Sequence, residues 1–253
     1  MTRFEVKLNA NFLLPSHERE FSPGPGATPV SAKEGYRLWA ATYDDDANPL
    51  LALEERGLFP MLPDLRDKDA LDVGCGTGRW LWTFLNLGAR SALGVDSSAE
   101  MMVRAAEKPV LRNRLVLGDC LALPLRARMA DVVVCSFIVG HVLKPQALAG
   151  ELSRVSRPRA DVFVTEMHPE SQARGWRCAF RRGNRTVEIR SLPHAPGDLR
   201  KTFEAEGFKL VLRRDLSLAE QERHIFAKAG KSHIFEAACS MPAVLVLQFR
   251  LTR

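Results

Sequence analysis

From residue 70 onward the chain switches repeatedly between two hydrophobic periods. Short, mostly apolar segments occur at Ala70–Val73, Ala92–Val95, Arg114–Leu117, "DVVVCSF" (131–137) and "ADVFVTEM" (160–167), and that of "DVVVCSF" is a continuous run. Between them, apolar residues recur every three or four positions. Continuous runs of this length fit strands buried on both faces, and the spaced segments fit amphipathic helices. The spacing predicts a helix over Arg79–Leu87, with Trp80, Leu81, Phe84 and Leu85 inward and Gly88 as its stop. A capping box, Ser97 with Glu100, opens a second helix that stops near Pro109. Pro145–Ser156 supplies a third. Strand–helix alternation predicts an α/β chain with a doubly wound, seven-stranded, mostly parallel sheet, and ligands at the carboxyl ends of its strands.

The flanks depart from this rhythm. "SPGPGATP" (22–29) reads as a linker behind a short N-terminal arm. Ser31 and Glu34 form a capping box for a helix, "AKEGYRLWAATYDD", whose Tyr36, Trp39 and Tyr43 share one face. A further helix is expected over "NPLLALEERGLF". Past residue 167, "WRCAFRRGNRTVEIRSL" reads as a hairpin turning at Gly183-Asn184. A helix Asp198–Glu206, a strand "FKLVLRR", a helix Leu218–Ala229 opened by Ser217 and Glu220, and a last strand "AVLVLQFRL" complete the pattern. The expected organisation is an arm and linker over 1–30 and a single domain over 31–253. That domain divides into a helical lid (31–66), a central core (67–166) and a more variable part (167–253).

"ALDVGCGTGRW" (70–80) carries the first candidate chemistry. Gly74, Gly76 and Gly78 stand where a strand turns into a helix, and glycine lets a ligand approach the backbone with no Cβ in the way. Asp96 ends the next strand about 20 residues on, where a carboxylate accepts from ribose hydroxyls. Asp119 ends the third strand and Ser136 the fourth. A glycine turn, two carboxylates and a small hydroxyl at four strand ends describe a nucleoside pocket. The spacing is GxGxG, not the GxGxxG of dinucleotide sites, and Asp72 sits inside the strand, which argues against a nicotinamide dehydrogenase.

Four motifs in order, "LDVGCGTGRW", "GVDSSAEMM", "GDCLALPL" and "ADVVVCSFIVGHV", resemble those of class I S-adenosylmethionine-dependent methyltransferases. They resemble most the branch acting on small molecules such as quinone precursors. "LWAATYDDD" resembles the element that covers the cofactor in that branch, and the resemblance spans roughly residues 31 to 166. It implies a Rossmann-like methyltransferase fold with an N-terminal helical lid and an inserted hairpin and helix after strand five. It also implies S-adenosylmethionine as cofactor and S-adenosylhomocysteine as product. Gly74, Cys75, Gly76 and Gly78 would lie against the methionyl and ribose parts, with Asp72 orienting the loop. Asp96 would hold the ribose hydroxyls, Ser97 and Ser98 would border the adenine, and Asp119 with Cys120 would face its amino group. Ser136 and Phe137 would floor the sulfonium, and Tyr43 would belong to the lid.

Composition adds boundaries. The chain has 253 residues, 46% hydrophobic and 26% charged, ample for one sizeable core. A net charge of +6 admits an acidic substrate or a nucleic acid without demanding either. Five cysteines with no CxxC pair argue against a zinc site and a disulfide framework, and no metal is expected. No run approaches a membrane span, and a cytoplasmic location is expected. His141 and His168 follow the fourth and fifth strands and are candidate general bases, each weighed against a structural role. The arginines of the hairpin region suit either a solvated face or an anionic substrate. The segment 167–240, with Trp176, Phe180, Phe226 and Phe235, is expected to wall the substrate side, facing the helix of Tyr36. The function implied is methyl transfer to a small-molecule acceptor. The alternatives are a nucleic-acid or protein methyltransferase and a non-catalytic, cofactor-binding regulatory subunit. The segment after strand four lacks the Asn/Asp-Pro-Pro-Tyr and Pro-Cys elements of base methylation, so a nucleic-acid partner is not expected. A homodimer is compatible with the sequence.

Overall fold

The computed structural model describes residues 26–45 and 47–252. The proposed N-terminal arm lies almost wholly outside them. The elements are β1 (Ala27–Val30), α1 (Ala32–Trp39), α2 (Pro49–Leu58), β2 (Asp69–Val73), α3 (Arg79–Asn86), β3 (Ser91–Asp96), α4 (Ala99–Ala106), β4 (Leu115–Leu117) and β5 (Ala130–Ser136). They continue with α5 (Pro145–Val155), β6 (Ser156–Met167), α6 (Pro169–Ala173), β7 (Cys178–Arg182), β8 (Arg185–Ile189), α7 (Pro196–Ala205), β9 (Phe208–Ser217), α8 (Arg223–Lys228), α9 (Phe235–Cys239) and β10 (Pro242–Leu251).

A seven-stranded sheet runs β4-β3-β2-β5-β6-β10-β9. Its first five strands are parallel, and β10 lies antiparallel between β6 and β9. This is the Rossmann-like α/β sheet expected from the sequence. Alternate residues face opposite layers, as the strand period requires. Ala70, Val132, Val134, Phe163, Val244 and Val246 pack toward α2 and α3. Leu71, Val73, Val133, Cys135, Val162, Val164, Leu245 and Leu247 pack toward α5 and α7. The chain leaves β2 for β3 on one side and returns to β5 on the other. The strand order therefore reverses between β2 and β5, where doubly wound sheets open a crevice.

Three local expectations are corrected. Ala27–Val30, inside and just beyond the expected linker, is a strand that pairs in parallel with β8. It joins the predicted hairpin β7–β8 in a second, three-stranded sheet, β1-β8-β7. Pro29 is tolerated because β1 is an edge strand with only one partner. The α4 cap is Ser98 rather than Ser97, since Met101 N–H donates to Ser98 Oγ at 3.3 Å. Leu218–Ala229 is not one helix. Ser217 stays in β9 opposite Pro242, so it cannot cap. Glu222 accepts the Ala219 N–H instead at 2.9 Å, and the α-helix begins only at Arg223.

The small sheet closes over α1. Trp39 stacks on Phe180 of β7 with centroids 4.8 Å apart and planes 7° from parallel. The segment after β6 therefore faces the Tyr36 helix, as expected from the sequence.

Candidate functional site

A cavity of about 770 Å³ opens at the carboxyl ends of β2, β3, β4 and β5, at the reversal of strand order. Its walls come from the turn after β2, the ends of β3 and β5, the loop after β4 and the roof formed by α1. Of the residues singled out from the sequence, Tyr43, Asp72, Gly74, Cys75, Gly76, Asp96, Ser97, Asp119, Cys120, Ser136 and Phe137 line it. Gly78 does not.

The glycines differ in what they do. A Cβ on Gly74 would collide with Ile138 and one on Gly78 with Leu111, so both are set by packing as well as by their positive φ. A Cβ on Gly76 would meet nothing within 4 Å, because it would project into the cavity. Gly76 is the position where bare backbone is kept for a ligand.

The turn is tied down by two carboxylates. Asp72, 1% exposed, accepts the Leu81 N–H at 2.9 Å and so satisfies one free donor of the first turn of α3. Burial pushes its carboxyl up to about 7, against the Leu81 hydrogen bond that lowers it. Asp96 accepts the Gly76 N–H and the Ser98 N–H, both at 2.8 Å. Burial raises its carboxyl above the usual range while those amides oppose the shift. Each Asp96 oxygen keeps a lone pair for a hydroxyl in the cavity. Asp119 folds into a turn by accepting the Leu121 N–H at 2.9 Å. The Cys75 side chain turns away, its sulfur 3.9 Å from Met102, so only its backbone serves the cavity.

Sequence reasoning missed Glu54 and Arg79. Glu54 on α2 is fully buried and accepts from Ser136 Oγ at 2.7 Å, Thr165 Oγ1 at 2.5 Å, Trp80 Nε1 at 3.3 Å and Arg79 Nη2. Arg79 lines the cavity, and its buried Nη1 has no hydrogen-bond partner. An unmet guanidinium donor held by a buried carboxylate suits a ligand carboxylate. The available signal was a carboxylate on the apolar face of "PLLALEERGL", beside Leu50, Leu53 and Leu58.

Asp44, just past α1, is fastened to the glycine turn. Thr77 Oγ1 donates to Asp44 at 2.7 Å, and Lys108 Nζ donates to Asp44 at 3.0 Å and to the Thr77 carbonyl at 2.8 Å. His141 lines the cavity, whereas His168 does not. His168 Nδ1 accepts from Glu170 N–H at 3.2 Å, capping α6, and its Nε2 lies 3.3 Å from Asp215 on β9. Trp176, Phe180, Phe226 and Phe235 are core residues and do not line this cavity. Arg177 donates to the Gln172 and Trp176 carbonyls and Arg174 to Glu170, and none of the arginines of the hairpin region lines the cavity. Lys33 and Lys144 stand at the mouth instead. Among the described residues no helix is long and apolar enough to cross a membrane.

Comparison with known proteins places this geometry. Residues 70–159 match the family model for a methyltransferase domain. An uncharacterized methyltransferase of Emericella nidulans is 28% identical over 222 residues, covering 72% of this chain and 77% of that protein. The ribosomal protein L11 methyltransferase of Haemophilus influenzae is 32% identical over 105 residues, covering 40% of this chain and 34% of its own length. The crystal structure of an S-adenosylmethionine-dependent methyltransferase from Mesorhizobium loti superposes with a TM-score of 0.63 at 18% identity, covering 80% of this chain and all of that one. That last likeness is one of fold.

Proposed function

We propose that this chain, an S-adenosylmethionine-dependent methyltransferase with the class I fold, methylates a small-molecule acceptor held between the glycine turn and α1. The observation that carries the reading is the roofed cavity of about 770 Å³, within the roughly 300–1,000 Å³ range of small-ligand sites. Its inner wall of Tyr36, Phe137, Ile138 and Val142 is apolar and aromatic, which suits an acceptor of the quinone-precursor kind. Lys33 and Lys144 favour an acceptor with an acidic group.

The residues present fit the cofactor. Gly76 leaves the backbone bare, Asp96 would accept the ribose hydroxyls, and Asp119 and Cys120 would border the adenine. Arg79, backed by Glu54, would take the methionyl carboxylate with its unmet Nη1. The cofactor supplies a methyl group already activated by a sulfonium. The protein's task is to align an acceptor with that carbon and to exclude water, and alignment alone is worth several kcal/mol of barrier, up to about 7–11 kcal/mol. The roof of α1 and the Asp44–Thr77–Lys108 fastening serve that exclusion.

The rival acceptors are a nucleic acid and a protein side chain such as the L11 relative's name denotes. Incubation with methyl-labelled S-adenosylmethionine and, separately, a small-molecule extract, bulk tRNA and ribosomal protein distinguishes them. Label is expected in the low-molecular-weight fraction. Label confined to RNA, with binding that falls steeply as salt rises, would overturn the small-molecule reading.

A further inference from the structure

We propose that Tyr36 and His141 form a proton relay serving the methyl acceptor, and that the acceptor is an aryl hydroxyl. This rests on the small-molecule reading above and adds to it the reacting group and the base.

The two side chains come from positions 105 residues apart, and Tyr36 Oη lies 3.0 Å from His141 Nε2. His141 Nδ1 lies 3.0 Å from the Arg190 carbonyl oxygen. A carbonyl only accepts, so Nδ1 carries the hydrogen, and in the neutral ring Nε2 is left to accept from the Tyr36 hydroxyl. The hydrogen positions follow from these partners. The rings meet edge to face, 83° apart with centroids at 5.4 Å. Both residues line the main cavity and also a small apolar recess of about 40 Å³ behind it. Tyr36 thus lines a ligand cavity and carries a hydroxyl already bonded to a proton acceptor that lines the same cavity.

The surroundings keep that acceptor neutral. Burial lowers the basicity of His141, opposed by the Arg190 carbonyl. The groups around the pair are Tyr43 from the lid, Cys178 of β7 beside the Tyr36 hydroxyl, Glu166 of β6, and His194 against the Val139 and Val142 backbone. Glu166 is occupied by the Gly140 N–H at 2.6 Å and the Met167 N–H at 2.9 Å, and burial raises its carboxyl to about 7. Lys33 and Lys144 lie at the mouth. Phe137, which joins the end of β5 to the turn carrying His141, has a φ of 54°, a strained value for a non-glycine residue. Such strain persists where the surroundings fix it and concentrates at working sites. Flat apolar walls beside a hydroxyl relay suit an aryl ring bearing O–H.

The step balances. The acceptor hydroxyl gives its proton to Tyr36 Oη while Tyr36 passes its own to His141 Nε2. An oxygen lone pair forms the O–CH₃ bond as the S–CH₃ bond breaks, and that bond's electron pair remains on sulfur. One positive charge leaves the sulfonium and one appears on the imidazolium, whose Nδ1–H is held by the Arg190 carbonyl. The proton passes to water when the product leaves.

The test uses the full chain, S-adenosylmethionine and a series of 4-substituted phenols from phenol to 4-nitrophenol, with S-adenosylhomocysteine release as the rate. His141→Asn and Tyr36→Phe are each expected to lower kcat/KM for phenol by about 10²–10⁴-fold, the usual range for a positioned base. The double variant should be no slower than the worse single one. The loss should shrink steadily toward 4-nitrophenol, which is largely ionised before it binds. The parent rate on phenol should rise with pH through an inflection that His141→Asn abolishes. Calorimetry should give both single variants the parent's affinity for S-adenosylhomocysteine. Equal losses across the series, multiplicative losses in the double variant, or no methylation of any phenol by a chain that binds S-adenosylhomocysteine would overturn the relay and leave the cofactor reading standing. Failure to bind S-adenosylhomocysteine at all would overturn both.

Discussion

Glu54 is where a single substitution should report most clearly on how the site is built. Its carboxylate is fully buried on α2 and gathers Arg79, Trp80, Ser136 and Thr165 from α3, β5 and β6. Glu54→Ala leaves the Arg79 guanidinium without its counter-charge and two hydroxyl donors without an acceptor. Removing one partner of a buried ion pair costs about 3–5 kcal/mol. The Arg79 side chain is 27% exposed and lines the cavity, so water can meet part of the loss and the lower end, about 3 kcal/mol, applies. That is a fifth or more of a typical domain stability of about 5–15 kcal/mol. At about 2–4 °C per kcal/mol for a chain of this size, Tm should fall by about 6–12 °C. Thermal and urea unfolding without ligand provide the assay. The double variant Glu54→Leu with Arg79→Met removes both charges, and it should recover the part of the loss due to the unpaired guanidinium, while Ser136, Thr165 and Trp80 still lack their acceptor. It should not recover cofactor affinity if Arg79 holds the carboxylate. A Glu54→Ala chain that melts within about 2 °C of the parent would refute the reasoning, as would a double variant less stable than Glu54→Ala alone.

Three further outcomes follow from the same geometry. Asp96→Ala should weaken S-adenosylhomocysteine binding by about 1.5–3 kcal/mol, the worth of hydrogen bonds to a charged acceptor, as read by calorimetry. Gly76→Val should abolish binding because its side chain enters the cavity, and it should also lower Tm because Gly76 has a φ of 54°, which a β-branched residue adopts only under strain; retained affinity in a folded variant would place the ligand elsewhere. Burial raises the carboxyls of Asp72 and Glu166 to about 7, above their unfolded values. The folded chain therefore holds more protons than the unfolded one between about pH 4 and 7, and stability falls as pH rises through that window, by at most about 1.4 kcal/mol per unit for each group. Asp69, held low chiefly by Arg90, with Ser91 and Arg157 helping, acts only below this window. Burial lowers His141, His168 and His194, which oppose this fall in the upper part of the window, so the test is a difference: from pH 5 to pH 7 the urea midpoint of Asp72→Asn, which can still accept from Leu81, should fall less, or rise more, than the parent's; the same change in both chains would contradict the shift.

The parallel core was legible because its strands are buried on both faces, so period and punctuation both appear in the chain. The glycine turn, Asp96 and Asp119 were legible for a related reason. Each sits at a strand end, and strand ends are marked by where an apolar run stops. What escaped notice depends on distant partners. Glu54 looks like one more charge in a helix until β5 and β6 bring Ser136 and Thr165 against it. Pro and Gly near Ala27 signalled a linker, but β8 offers that segment a free edge and makes it a strand. Ser217 and Glu220 have cap spacing, yet the ladder with β10 holds Ser217 extended. Trp176 and Phe180 were expected to face a substrate. Phe180 instead stacks on Trp39 of α1 and Trp176 is buried in the same core cluster, which leaves the cavity wall to Tyr36, Phe137 and His141.

The central claim is that the turn after β2 and the carboxylate of Asp96 hold an adenosyl sulfonium. Titration calorimetry of the purified chain with S-adenosylmethionine, S-adenosylhomocysteine and NAD tests it directly. The account predicts micromolar binding of the first two, about −8 kcal/mol, and none of NAD. Binding of NAD without S-adenosylhomocysteine would contradict it.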